Sequence, residues 1–109
     1  MFDRVNANLQ AYMDLLSFRQ KLVASNLANL DTPGYKTRDI DFQFEFQTRI
    51  KDAQPHIVEL DLPSKNDGNN VSLDREARLL AENAMRFQLA SLLAREEFRK
   101  IKSAIQEGK

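Results

Sequence analysis

Between Leu73 and Ile105 the chain repeats one spacing without a break. Leu73, Ala77, Leu80, Ala84, Phe87, Ser91, Ala94, Phe98, Ile101 and Ile105 follow at alternating steps of four and three, and all but Ser91 are apolar. A mean repeat of 3.5 residues marks a coiled-coil seam, because a straight helix of 3.6 residues per turn drifts off such a stripe and supercoils to keep it covered. Met85, Leu89 and Leu92 widen the stripe, while Asp74, Arg78, Glu82 and Arg86 alternate in sign at four-residue steps on the solvated side. No Gly or Pro interrupts the stretch and Ser72 is placed to cap it, so the spacing predicts a helix about 50 Å long. A helix of that length with one apolar seam requires partners.

A second helix is expected from residue 3 to about 30. Phe2, Val5, Leu9, Tyr12, Leu16, Val23 and Leu30 keep the same rhythm, with Arg19 and Asn26 at its polar positions and Asp3 as the expected N-cap. Leu15, Phe18, Leu22 and Leu27 broaden the apolar arc. An asparagine in a seam fixes register at some cost in stability; otherwise Asn26 is a half-exposed polar residue. The helix is expected to stop at Asp31-Thr32-Pro33-Gly34-Tyr35, where Pro33 cannot continue it and Gly34 supplies any positive φ the turn demands.

Residues 39–62 support two readings. Ile40, Phe42, Phe44 and Phe46 alternate with polar residues as in a strand, yet Phe42, Phe46, Ile50 and Ala53 also fit one face of a short helix. Pro55 and Pro63 bracket an extended segment holding Ile57, Val58, Leu60 and Leu62, and residues 64–70 read as a mobile polar loop. The expected fold is mainly α: two long terminal helices, 1–30 and 71–109, forming an antiparallel coiled-coil-like hairpin. Their seams face each other and spill over to neighbours, and an irregular or partly β insert at 31–70 joins them within one structural domain.

Composition narrows the functional classes. Sixteen basic and sixteen acidic residues cancel, so there is no electrostatic case for nucleic acid or an acidic membrane. The chain has no cysteine, which excludes disulfides and thiolate metal sites. No basic segment followed by an apolar run marks a cleaved secretory signal at the N-terminus, and no window is apolar enough to span a bilayer.

Candidate chemistry is sparse. The single histidine, His56, has no orienting or nucleophilic partner in the sequence. Asp39 and Asp41 would share a face in a strand, as metal or acid–base work requires, but the same spacing is the polar face of any amphipathic strand. Aligning Gly68 with the sixth position of a calcium loop puts Pro63 and Lys65 at ligand positions, so the loop fails. No catalytic, cofactor, metal or small-molecule site is expected.

Ala24-Ser25-Asn26-Leu27-Ala28-Asn29, running into Asp31-Thr32-Pro33-Gly34-Tyr35-Lys36, resembles the N-terminal motif of bacterial flagellar rod and hook axial proteins. Ser25, Asn26, Ala28, Asn29, Thr32, Gly34 and Tyr35 match the pattern Ser-Asn-x-Ala-Asn-x-x-Thr-x-Gly-Tyr. The continuation to Phe42 looks more like one proximal rod subunit than its sister subunit. Residues 70–76 and 80–88 are similar to the C-terminal helix of that protein. The resemblance implies a structural subunit of the periplasm-spanning basal-body rod, self-associating in a helical array and transmitting torque. It also implies export by the flagellar type III system without a cleaved signal. Other rod proteins, a FliE-type adaptor, the MS-ring protein and the export gate would be its neighbours.

On that reading Leu73, Leu80, Phe87, Phe98, Ile101 and Ile105 carry assembly from the C-terminal helix, and Val5, Leu9, Leu16, Val23 and Leu27 from the N-terminal one. Asn26 and Asn29 hydrogen-bond between helices or to the turn, while Thr32, Pro33, Gly34 and Tyr35 set the chain's exit, Tyr35 packing back on the helix. A small coiled-coil adaptor or export chaperone is the competing reading, since helical seams alone would suffice for it. The turn motif at the helix end speaks against it.

Overall fold

The computed structural model describes residues 2–48 and 54–108. In chain order the elements are α1 (Phe2–Ala28), β1 (Arg38–Asp39), α2 (Phe42–Thr48), β2 (Val58–Glu59) and α3 (Leu73–Glu107). The long helices lie side by side and antiparallel. Near the end of α1, Asn26 bonds to Glu76 in the first turn of α3; one stage further along, Gln20 meets Asn83. The result is a thin molecule of 69 × 26 × 16 Å.

Local chemistry sets the helix ends. Ser72 Oγ accepts the Arg75 N–H at 3.2 Å, and Asp74 and Glu76 place negative charge at the positive end of the α3 dipole. Asp3 lies inside α1 and is not its N-cap, a correction to the sequence reading. After α1, the Tyr35 N–H bonds to the Thr32 carbonyl with Gly34 at φ +76°, which is the type II arrangement that Pro at the second and Gly at the third position favour.

The insert is part strand and part helix. Arg38 pairs with Glu59 and Asp39 with Val58 in a two-residue antiparallel bridge, and the chain then turns into α2 at Phe42. The alternating pattern from Ile40 to Phe46 is therefore not one strand. Asp41 Oδ1 accepts the Phe44 N–H, so this aspartate starts a helix and does not share a face with Asp39. Ile50 and Ala53 lie outside the described residues. Residues 64–70 are not a loose polar loop either: Asn69 and Asn70 are buried and fully engaged, as described below.

Helix α1 has apolar residues on two sides. Leu15 and Leu22 pack with Ile40, joined by Phe18, Phe42 and Phe46, and Tyr12 meets Phe42 and Phe46 edge-on at 5.4 and 5.7 Å. Leu16 and Val23 are buried on the stripe that also holds Gln20, which faces α3. Each such aliphatic side chain stabilises the fold by about 1.5–3 kcal/mol relative to exposure.

The expected α3 seam is turned away from α1. Leu73, Leu80, Phe87, Phe98 and Ile105 are all exposed, Phe98 at 68%. What α3 buries is a neighbouring stripe in which Glu76, Asn83 and Ala90 recur at seven-residue intervals. With about 100° of rotation per residue, the two stripes lie roughly a quarter turn apart on one helix. The hairpin is present, but its two apolar seams do not meet. Apolar periodicity finds only the outward stripe; the stripe that α1 takes is set by polar partners.

Candidate assembly site

The polar partners form a lock at the closed end of the hairpin. Asp39 receives two parallel bonds from Arg19, at 2.9 and 2.8 Å, and a third from Arg75 at 2.5 Å. Arg75 also reaches Glu76 at 2.6 Å, and the fully buried Glu76 accepts Asn26 Nδ2 at 2.7 Å. Two cations and two carboxylates cancel, as a buried ionic group must if it is not to destabilise the fold. Burial pushes the Asp39 carboxyl upward, but hydrogen bonds from Arg19 and the Ile40 N–H, the Arg19 charge and the Arg75 bond outweigh it and hold the group below its ordinary value. Arg75 is raised: burial works against its charge, and Glu76 and Asp39 overcome that.

Asn26 is the hub of the motif. Its side-chain amide bonds to the Arg38 carbonyl at 2.8 Å and accepts the Arg38 N–H at 3.0 Å, so it pairs with β1 as a neighbouring strand would. Tyr35 Oη donates to the same amide oxygen at 3.2 Å and lies 3.1 Å from Ser25 Oγ, which folds the ring back over α1. Asn29 donates to the Ser25 carbonyl at 2.8 Å and accepts from the Thr32 hydroxyl at 3.0 Å. Thr32, Pro33 and Gly34 are themselves exposed.

Residues 64–70 close the lock from outside. Asn69 Nδ2 donates to the Asn29 and Thr32 carbonyls, both at 2.8 Å, and its oxygen accepts the Val71 N–H. Asn70 accepts the Thr37 N–H at 2.6 Å and donates to the Leu60 carbonyl at 2.8 Å. Lys65 Nζ donates to the Leu30 carbonyl just beyond the end of α1. Gly68, at φ +86°, lies so close to Gly34 that an added Cβ would sit 3.4 Å from the Gly34 Cα. Among the described residues no buried side-chain nitrogen or oxygen lacks a partner.

The open side of α3 is the reverse, apolar and largely uncovered by the described residues: Leu73, Leu80, Phe87, Phe98 and Ile105 are exposed along it, Ile101 is half-buried, and Met85, Leu89 and Leu92 are exposed on the far side of the helix. Of the N-terminal residues expected to carry assembly, Leu16 and Val23 are buried inside the subunit, and Val5, Leu9 and Leu27 are half-buried. Leu9 lines a crevice of about 300 Å³ with Tyr12, Phe46, Leu89 and Leu93.

Several organising residues were missed by sequence reasoning. Spacing alone does not single out Arg75, Glu76, Asn69 or Asn70, and it does not pair Arg19 with Asp39. The seven-residue repeat through Glu76, Asn83 and Ala90 was the available signal. His56 lies exposed at the surface, its backbone N–H bonded to Glu45. Among the described residues no group of acidic or histidine side chains could hold a metal ion, and no helix is long and apolar enough to cross a membrane.

Comparison with known proteins identifies this arrangement. Residues 13–36, from the middle of α1 through the turn, match the family described as flagella basal body rod protein. The flagellar basal body rod protein FlgB of Escherichia coli K12 is 32% identical over an alignment covering 99% of each chain. FlgB of Borreliella burgdorferi is 30% identical over 83% of this chain and 87% of its own, and FlgB of Salmonella typhimurium is 29% identical over 99% of both. These matches define a structural subunit of the flagellar rod. The chain belongs to the FlgB family of flagellar basal body rod proteins, structural components of the rod.

Proposed function

We infer that this subunit joins the rod through the outward stripe of α3, with α1 as its internal support. One observation carries the reading: on a 35-residue helix the most regular apolar stripe leaves Leu73, Leu80, Phe87, Phe98 and Ile105 exposed among the described residues. Exposed apolar surface of this extent marks an interaction site, and copies that bury it head-to-tail without closing a ring build an open helical array. Leu73, Leu80, Phe87, Phe98, Ile101 and Ile105 make the contact. Val5, Leu9, Leu16, Val23 and Leu27 hold α1 against α3 behind them, and Asn26, Asn29 and the Thr32–Tyr35 turn keep the helices in register.

Resemblance to proximal rod subunits supports the rest of the reading. The chain reaches the periplasm through the flagellar type III apparatus and passes motor torque along the rod. Other rod proteins, a FliE-type adaptor, the MS-ring protein and the export gate are its neighbours.

Phe87→Asp tests the assembly face. Phe87 is exposed in the subunit, so the variant folds normally, yet a charge in the stripe is expected to keep it out of washed basal bodies, measured by mass spectrometry. Normal incorporation overturns the assignment.

A further inference from the structure

The free end of α3 and the insert differ in charge. Arg95, Phe98, Lys102 and Ile105 follow at steps of three, four and three, so they share one face of the last turns of α3. All four are exposed. Arg99 and Lys100 beside them are engaged by Glu96 and Glu97, but Arg95 and Lys102 pair with no carboxylate among the described residues. The face is therefore both apolar and basic.

The insert has the opposite character. On its returning edge Ile57, Val58, Glu59 and Asp61 are all exposed. Residues 40–48 and 54–64 carry the carboxylates of Asp41, Glu45, Glu59 and Asp61 and neither lysine nor arginine. Arg38 stands opposite Glu59 in the two-strand bridge, yet its guanidinium lies over the Tyr35 ring and makes no ion pair with Glu59 among the described residues. The two surfaces cannot meet within one subunit. Through β1 and Asn26, β2 lies level with Glu76. At 1.5 Å per residue Arg95 is about 28 Å further along α3 and Ile105 about 44 Å.

We propose that the Arg95–Phe98–Lys102–Ile105 face of α3 docks on the Ile57–Asp61 edge of a second copy. This rests on the outward stripe being the assembly face, and it names what the far third of that stripe meets. Charge complementarity selects the arrangement. Two α3 ends side by side would set Arg95 and Lys102 against like charge, and two insert edges would do the same with Glu59 and Asp61; only end against edge joins opposite signs. Exposed ion pairs add little on their own, so Phe98 and Ile105 against Ile57 and Val58 supply the hold, and the charges fix register and choice of partner. The contact joins two different surfaces, so it runs head-to-tail and leaves every docked copy with one surface of each kind for its neighbours.

The test replaces the full chain in cells by charge-altered versions and measures its content in washed basal bodies by mass spectrometry. Arg95→Glu/Lys102→Glu should lower that content about tenfold, and so should Glu59→Lys/Asp61→Lys, while all four substitutions together should bring it back to within about twofold. Undiminished content in either pair, or no recovery in the combination, overturns the proposal. The substituted side chains are exposed, and urea unfolding midpoints check that each variant folds. Because the chain has no cysteine, Asp61→Cys/Lys102→Cys gives an independent arm. A short bismaleimide added to washed basal bodies should link this variant into a ladder of multimers, which neither single variant gives. No ladder, or links to a different protein alone, overturns the proposal. If Phe87→Asp enters basal bodies normally, the assembly face itself has failed. If Phe87→Asp is excluded but the charge exchange and the cysteine pair both fail, the failure belongs to this docking alone.

Discussion

Asn26 of α1 and Glu76 of α3, fifty residues apart in sequence, share a fully buried hydrogen bond of 2.7 Å. The bond defines the register of the hairpin. It also explains why α3 turns a polar stripe inward: Glu76 finds Asn26 and Arg75 there, and Asn83 finds Gln20. Facing α1 with the apolar stripe would carry Glu76 and Asn83 out to water and leave the buried Asn26 and Asp39 short of their α3 partners, at about 1–3 kcal/mol for each buried polar group left unsatisfied.

Asp39→Ala removes the acceptor that Arg19 and Arg75 share. Breaking a buried pair from one side leaves charge uncompensated, so the variant should lose about 3 kcal/mol or more, read from the urea unfolding midpoint.

The same carboxylate sets an acid limit. Its folded pKa lies below its ordinary value of 3.8, so its contribution is complete above the unfolded pKa and disappears as pH falls through the lower folded one. Stability of the unaltered chain should therefore fall more steeply below about pH 4 than that of Asp39→Asn, whose side chain does not titrate. Parallel acid-unfolding curves would show that Asp39 is not responsible.

Asn69→Ala should cost about 2 kcal/mol, because the Asn29 and Thr32 carbonyls and the Val71 N–H lose their buried partner together. Hydrogen exchange should place the loss locally, with the Val71 amide exchanging faster than those in the middle of α1.

Gly34→Ala tests the turn without steric interference, since nothing lies within 4 Å of an added Cβ. The positive φ alone should cost about 1 kcal/mol, a fall of about 5 °C in Tm. Gly68→Ala adds contact with the Gly34 backbone and should cost at least as much.

The far end of α3 separates the free from the assembled subunit. Phe98 and Ile105 are exposed, so amides from about residue 98 onward should exchange rapidly in dilute protein and slow on assembly. Protection at that end in the monomer would mean that the hairpin stabilises its own tail.

The elements most legible in sequence were those that repeat over long stretches or break abruptly. Both terminal helices, the Ser72 cap and the Pro33–Gly34 stop follow from local spacing and from residues with few conformational options. The orientation of α3 did not, because two seven-residue stripes share that helix and only long-range partners choose between them. The alternation from Ile40 to Phe46 misled for a related reason: Asp41 caps a helix inside an apparently strand-like pattern. Asn69 and Asn70 look like ordinary loop residues, and nothing short of the folded turn shows that their amides replace a second layer of backbone pairing.

The ties among Thr37, Leu60 and Asn70 bring the departure and return of the insert to within about one strand spacing, roughly 5 Å. A chain segment that leaves and re-enters at one point behaves as a socket. The cost of loop closure grows only logarithmically with length, about 0.6 kcal/mol for each doubling, so with its ends paired at Thr37 and Leu60 the insert can change in length with little strain on the hairpin. The subunit thereby offers a graft point through which a reporter or affinity handle could be carried into the rod.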